Sequence, residues 1–385
     1  MNRREFLATA GATTVAVAWG AQPACAATAG YGNVLVLVEL KGGNDGLNTV
    51  IPFADPAYYA LRPQLAIPCE QVLALDAATG LHPALQPLLA LWQARELAVV
   101  QGVGYPDANL SHFRSIEIWD TASRSNQYLP DGWLARVFKA APVPREYAAD
   151  GVVVGGGDMG PFAGGARAVA IVNTEQFLRQ ARLAQPASAA TGSGALAHIL
   201  KIEREVAQAA AGLSGDHHFS TAFPVGAFGN AVRTAAQVIA AQPGVAAVKI
   251  GLGSFDTHRG QLATHARLLK ELAEGLTALK AALVELRRWD STLVMTYSEF
   301  GRRAAENLSG GTDHGTASAH FALGGRVRGG LYGLPPALTR LDGNGNLSYG
   351  VDFRDLYATV LGGWWGVSPD QALGARFQPV GFVRA

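Results

Sequence analysis

The chain has 385 residues, with 31 lysines and arginines against 30 aspartates and glutamates, 49% hydrophobic side chains and 16% charged ones. Near-neutrality excludes the basic face that phosphate neutralisation demands of a nucleic-acid partner. So large an apolar share excludes a disordered chain and suffices for a sizeable α/β core.

Paired Arg3 and Arg4 before Phe6-Leu7, an apolar stretch from Ala8 to Gly20 and the small-residue sequence Ala24-Cys25-Ala26 predict a twin-arginine signal peptide over residues 1–26. The expected product is periplasmic or otherwise exported, starts near Ala27 and has the twin-arginine translocase as its export partner. The apolar stretch is shorter than the ~20 residues of a membrane span, and Gln22 stands where a lipidated leader carries an aliphatic residue. No later segment is long and apolar enough to cross a bilayer. Removing the leader keeps acids and bases in balance and leaves one cysteine, Cys69, so no intramolecular disulfide is expected.

Residues 27–385 read as one α/β domain, a mainly parallel central sheet with helices on both faces. Asn33 to Leu40 is the continuous apolar run of a central parallel strand. The glycine-rich sequence Lys41-Gly42-Gly43-Asn44-Asp45-Gly46 follows. It reads either as a type I′-like turn with Asp45-Gly46 at its tip or as the delivery of a carboxylate to the strand's end. Glu39, inside the strand, is the competing acid, and Asp45 is preferred because an ionisable group in an apolar strand is costly unless paired or metal-bound.

A helix is expected from Pro83 to about Arg95, a second strand from Leu97 to Gln101, and a helix from Ser111 through Trp119. Strand signals follow at 151–155 and 166–172. The low-complexity stretch 185–195 reads as a surface loop between helical segments. Helices at 197–211 and 227–241 lead to a strand at 245–250, a long amphipathic helix from Gln261 to Arg288 and a strand at 292–297. These last three form a β-α-β unit whose parallel strands end on one edge, where ligands bind in open α/β sheets. Residues 324–333 look like a hairpin or edge ribbon, and Asp352 to Trp365 a closing helix.

Three polar clusters end apolar runs: Phe255-Asp256-Thr257-His258, Ser298-Glu299-Phe300-Gly301-Arg302 and Thr312-Asp313-His314-Gly315. Carboxylates and imidazoles gathered at strand ends are what a divalent cation such as zinc, magnesium or calcium needs. Asp256, His258, Glu299 and His314 are therefore candidate ligands with Asp45, although Asp256 would also serve as a helix cap. His265, one helix further on, is a helix-face residue. Ser111 would serve as a helix N-cap; near a cation its hydroxyl would also serve as a nucleophile on phosphorus or sulfur. His112 is a second candidate for ligand or substrate contact, and Arg114 and Arg302 would bind substrate oxygens.

Through Glu39 to Pro52, Ser111-His112-Phe113, Gly253 to His258, Ser298 to Arg302 and Gly310 to Gly315, the chain resembles the bacterial family called domain of unknown function 1501. That family is similar, more distantly, to the alkaline phosphatase and sulfatase superfamily of metal-dependent ester hydrolases. The resemblance implies an alkaline-phosphatase-like fold and a divalent metal. It places the first acid at Asp45, the nucleophile at Ser111, an Asp and a His at Asp256 and His258, and the last His at His314. Where the superfamily has an Asp-His pair this chain has Glu299-Phe300, so one ligand of a second metal is missing. The expected function is hydrolysis of phosphate or sulfate esters, small or polymeric. The alternative is an exported binding or assembly protein that kept the fold, which Phe300 supports.

Overall fold

The computed structural model describes residues 29–172, 217–241 and 244–384. The leader with Cys25 and Ala26, the 185–195 loop and the 197–211 helix lie outside the described residues. Among the described residues nine strands form one sheet: β1 (Val34–Leu40), β2 (Leu97–Gly104), β3 (Ala149–Val154), β4 (Ala168–Ile171), β5 (Val245–Leu252), β6 (Thr292–Tyr297), β7 (Ser318–Leu323), β8 (Gly330–Tyr332) and β9 (Val351–Asp352). Their order is β8-β2-β7-β6-β1-β5-β3-β4, with β9 also beside β2. Only the pairings of β7 are antiparallel; all others are parallel.

Six helices shape the two cores and the sheet end that carries the polar clusters: α1 (Gly46–Thr49), α2 (His112–Thr121), α3 (Trp133–Ala140), α4 (Ala227–Ala240), α5 (Gln261–Glu285) and α6 (Phe353–Ala358). All seven residues of β1 are buried, because both faces of the sheet are covered. Val34, Val36, Val38 and Leu40 pack in one core with α4 and α5, and Leu35 and Leu37 in another with α2, α3 and α6. Each fully buried valine or leucine contributes about 1.5–3 kcal/mol, which explains why the run carries no alternation. Among the described residues no helix is long and apolar enough to cross a membrane, and Cys69 is a free, exposed thiol.

Several local expectations are corrected. Pro83 to Arg95 is not one helix: a 3₁₀ turn, Pro83–Leu88, precedes a short α-helix, Leu89–Gln93, because Pro87 lacks the amide hydrogen that an α-helical interior requires. Asp45 is not a hairpin tip but the N-cap of α1, its carboxylate accepting from the Leu47 and Asn48 amides. Of the two readings of residues 324–333, hairpin and edge ribbon, the edge one holds: β8 runs parallel to β2 at the sheet's edge. The antiparallel strand β7 is missing from the sequence reading because Ser318 and His320 interrupt its apolar run. The closing helix starts in a capping box between Asp352 and Asp355 and widens after Ala358 into a π-helical turn, Thr359–Trp364.

Candidate metal centre

Because β1, β2, β5 and β6 are parallel, the segments following them meet at one end of the sheet. There Asp256 lies among three imidazoles. Its Oδ1 is 3.1 Å from His258 Nε2 and 3.3 Å from His314 Nε2, and its Oδ2 is 3.5 Å from His112 Nε2. The two Nε2 atoms of His258 and His314 are 2.9 Å apart. His112, Asp256 and His314 each offer a ligand atom within 4.8 Å of the others.

The other nitrogen of each ring is held by an oxygen that can only accept. His314 Nδ1 faces the Leu110 carbonyl at 2.8 Å, His258 Nδ1 the Asp313 carboxylate at 3.2 Å, and His112 Nδ1 the Glu299 carboxylate at 2.8 Å. With the proton on Nδ1, toward these partners, each ring keeps its Nε2 lone pair pointing at Asp256. Three imidazole lone pairs and a carboxylate thus converge, an arrangement that repels itself unless a cation or a proton lies among them. Oxygen-held imidazoles of this kind also accompany histidine ligands of metals.

The surroundings fix this geometry. Arg302, buried, donates to Asp256 Oδ1 at 2.7 Å, to Gly43 O at 2.7 Å and to Thr312 O at 2.8 Å, tying the loops after β1, β5 and β6 together. Burial pushes the Asp256 carboxyl up, but the hydrogen bond and charge of Arg302 prevail and hold it below the usual range. Burial draws His314 below the usual imidazole range, which favours the neutral, ligating form. Asn307 donates to the His258 carbonyl at 2.9 Å and to Asp313 Oδ1 at 3.1 Å, and holds the Asp313 carboxyl low. At Gly42, φ is +113° and a Cβ would lie 2.4 Å from the Asp256 amide nitrogen, so only glycine lets the loops approach this closely.

The expected site residues separate into those that meet and those that do not. Asp256, His258 and His314 meet, and His112 joins them. Glu299 stands behind: its Oε1 accepts from His112 Nδ1 and from the Gly42 amide at 2.8 Å, so it orients a ligand candidate. Asp45 is absent from the cluster. It is buried in a two-point pair with Arg62, at 2.6 and 3.0 Å, accepts from Gln261 Nε2 and caps α1. Its burial would raise its pKa, yet Arg62 holds it low. Glu39 is also occupied, with Lys249 Nζ at 3.1 Å. Arg114 donates to the carbonyls of Arg124, Ser125 and Gln127 and pairs with Glu117. Arg302 spends its donors on the loops.

Ser111 occupies the N-cap position of α2, but its side chain makes no capping hydrogen bond. The residue is exposed and is flanked by two anchored neighbours, the Leu110 carbonyl on His314 and the His112 ring on Glu299. Phe300 lies against the rings of His112 and His314, with centroids 4.8 and 4.4 Å away. Sequence reasoning missed the supporting roles of Asp313, Asn307 and the Leu110 carbonyl. Asp313, adjacent to a candidate histidine, carried the one signal that could have found its role.

The sequence profile of the family described as "Protein of unknown function (DUF1501)" matches residues 71–374. No curated protein matches the chain. Solved structures with a similar fold include Ps i-CgsB in complex with k-i-k-neocarrahexaose, at 11% identity over 90% of this chain and 73% of that one, with a TM-score of 0.40. They also include the lipoteichoic acid synthase LtaP from Listeria monocytogenes, at 11% identity over 79% of this chain and 66% of that one, TM-score 0.35. The alkaline phosphatase from the Antarctic bacterium TAB5 is 12% identical over 78% of this chain and 94% of its own, TM-score 0.32.

Proposed function

The chain belongs to the DUF1501 family, and we propose that it is an exported, metal-dependent hydrolase of phosphate or sulfate esters with Ser111 as nucleophile. One observation carries the reading: the Nε2 atoms of His112, His258 and His314 converge on Asp256, with each ring's other nitrogen held by an oxygen. A donor set of three imidazoles and one carboxylate suits a borderline cation, zinc above all, better than magnesium or calcium, which prefer all-oxygen shells. His112, Asp256, His258 and His314 would hold it; Glu299, Asp313 and Arg302 would orient them, and Asp45 would stay structural. A bound divalent cation supplies positive charge for the ester oxygens and lowers the pKa of a nearby hydroxyl.

The chain's own part is positioning. Ser111 Oγ, with no capping bond to break, attacks phosphorus or sulfur as its proton passes to solvent; the ester P–O or S–O bond breaks, and the departing alkoxide takes a proton from solvent as the serine ester forms. Water then attacks that ester, releasing the acid and returning the Ser111 hydroxyl. The α2 amides left open by the missing cap add donors toward the anion. Turnover of nitrophenyl phosphate and nitrophenyl sulfate by the zinc-loaded protein tests the reading. Ser111→Ala should cost about a thousandfold or more while fold and metal content remain; full activity in that variant would sink the nucleophile.

A second reading keeps the cation without turnover. Phe300 favours it, since its ring covers two of the imidazoles where a further ligand would stand. Stoichiometric zinc with no hydrolysis of either ester selects it.

A further inference from the structure

A cavity of about 320 Å³ opens at the same end of the sheet, between α1, β2, the start of β7 and the segment from Leu334 to Gly350. None of the residues of the metal centre lines it. Its volume falls at the lower end of the ~300–1,000 Å³ of small-molecule sites, too small for a polymer chain to thread. Leu47, Val50 and Leu347 give it apolar walls.

Ser318, Ser348 and Tyr349 add hydroxyls to the lining, and two further polar groups stand out. Gln101 in β2 is only 4% exposed, lines the cavity, and makes no side-chain hydrogen bond among the described residues. Its amide is open to the cavity and so is free to bond a ligand that offers a donor or an acceptor. Arg340 lies exposed among the lining residues and has no ion-pair partner among the described residues, and no acidic side chain lines the cavity. Among the described residues Arg340 is thus the one charged side chain in the lining.

We propose that this cavity binds a small amphiphilic anion: an apolar body one or two rings in size against Leu47, Val50 and Leu347, a hydrogen-bonding group on the Gln101 amide, and an acidic group at Arg340. The proposal stands apart from the hydrolase reading, since it uses none of that centre's residues.

The test uses the full chain and two fluorescent probes of similar size, the anionic 8-anilinonaphthalene-1-sulfonate and the neutral N-phenyl-1-naphthylamine. Wild type should bind the anionic probe saturably at one site per chain with blue-shifted emission. Arg340→Gln and Leu334→Asp, both at exposed positions, should each weaken the anionic probe about tenfold, the worth of one charge-assisted contact. Neutral-probe binding in Arg340→Gln should stay within about twofold. His314→Ala should leave the anionic probe unaffected. No saturable binding overturns the proposal, as does equal affinity in wild type and Arg340→Gln. Loss in His314→Ala with retention in Arg340→Gln would instead move the probe to the metal centre.

Discussion

Two acidic residues, Asp45 and Asp256, each follow a parallel strand at the same end of the sheet, yet they have opposite fates. Asp45 is 1% exposed and meets Arg62, Gln261 and two α1 amides; no lone pair is left to offer. The Asp256 side chain is 46% exposed, has one arginine behind it and three imidazole nitrogens in front. A carboxylate at a strand end becomes a ligand candidate only when its neighbours leave its oxygens free and supply further lone pairs. The surroundings, not the position after the strand, make the difference.

The largest effect that would break this contrast is on stability. Arg62→Ala leaves Asp45 charged, buried and unpaired, and should destabilise the protein by about 3–5 kcal/mol, read in urea unfolding. A change below about 1 kcal/mol would mean that the Asp45 node is not structural.

Asp256→Asn should do the reverse. It keeps an oxygen for Arg302 but loses the charge, so zinc affinity should fall at least about a hundredfold, roughly 2.7 kcal/mol, while the apo-protein melts within a few degrees of wild type. Zinc at a hundred times its Kd should stabilise wild type by about 2.7 kcal/mol and this variant hardly at all. Equal zinc stabilisation of both would remove Asp256 from the centre.

Acid sharpens the comparison from the buried side. Burial lowers His265 and His320 to about 3 and His82 to about 4. The unfolded chain takes up those protons near pH 6.5, so below that pH it binds more protons than the native state. The stability these three histidines contribute should be complete above about pH 6.5 and be lost as pH drops toward 3, against the smaller opposing slope of one buried carboxyl, Asp120, which burial pushes up to about 8. Urea midpoints flat between pH 7 and 4.5 would contradict this.

His320 gives the smallest expected effect at neutral pH. Both its ring nitrogens are buried without a hydrogen-bond partner among the described residues, so His320→Leu removes an unsatisfied group and should change stability by less than about 1 kcal/mol at pH 7. It should stabilise the protein at pH 4.5. A loss of several kcal/mol at pH 7 would show that this imidazole is needed.

Much of the fold was legible because the central parallel strands are written as mainly apolar runs rich in β-branched residues: Val34–Leu40, Leu97–Gly104, Val245–Leu252 and Thr292–Tyr297. Ser318–Leu323 was not, since a serine and a histidine sit in its run and only packing against β2 and β6 makes it a strand. Of the cluster, Asp256, His258 and His314 were legible as polar groups at the ends of such runs or beyond glycines. The partners of Asp45, Glu299, Arg114 and Arg302 were not.

The sequence by itself determined the central parallel strands, and with them the single sheet end at which the polar clusters gather, because burial on both faces demands mainly apolar runs and parallel strands share their ends. Tertiary structure alone decided which of the gathered groups are spent and which are free. Asp45 is satisfied by Arg62 and by Gln261, and Glu299 turns His112 by accepting its Nδ1 proton. Those partners lie from 17 to 216 residues away in the chain, and hydrogen-bond saturation depends on distance in space, which local sequence pattern does not encode.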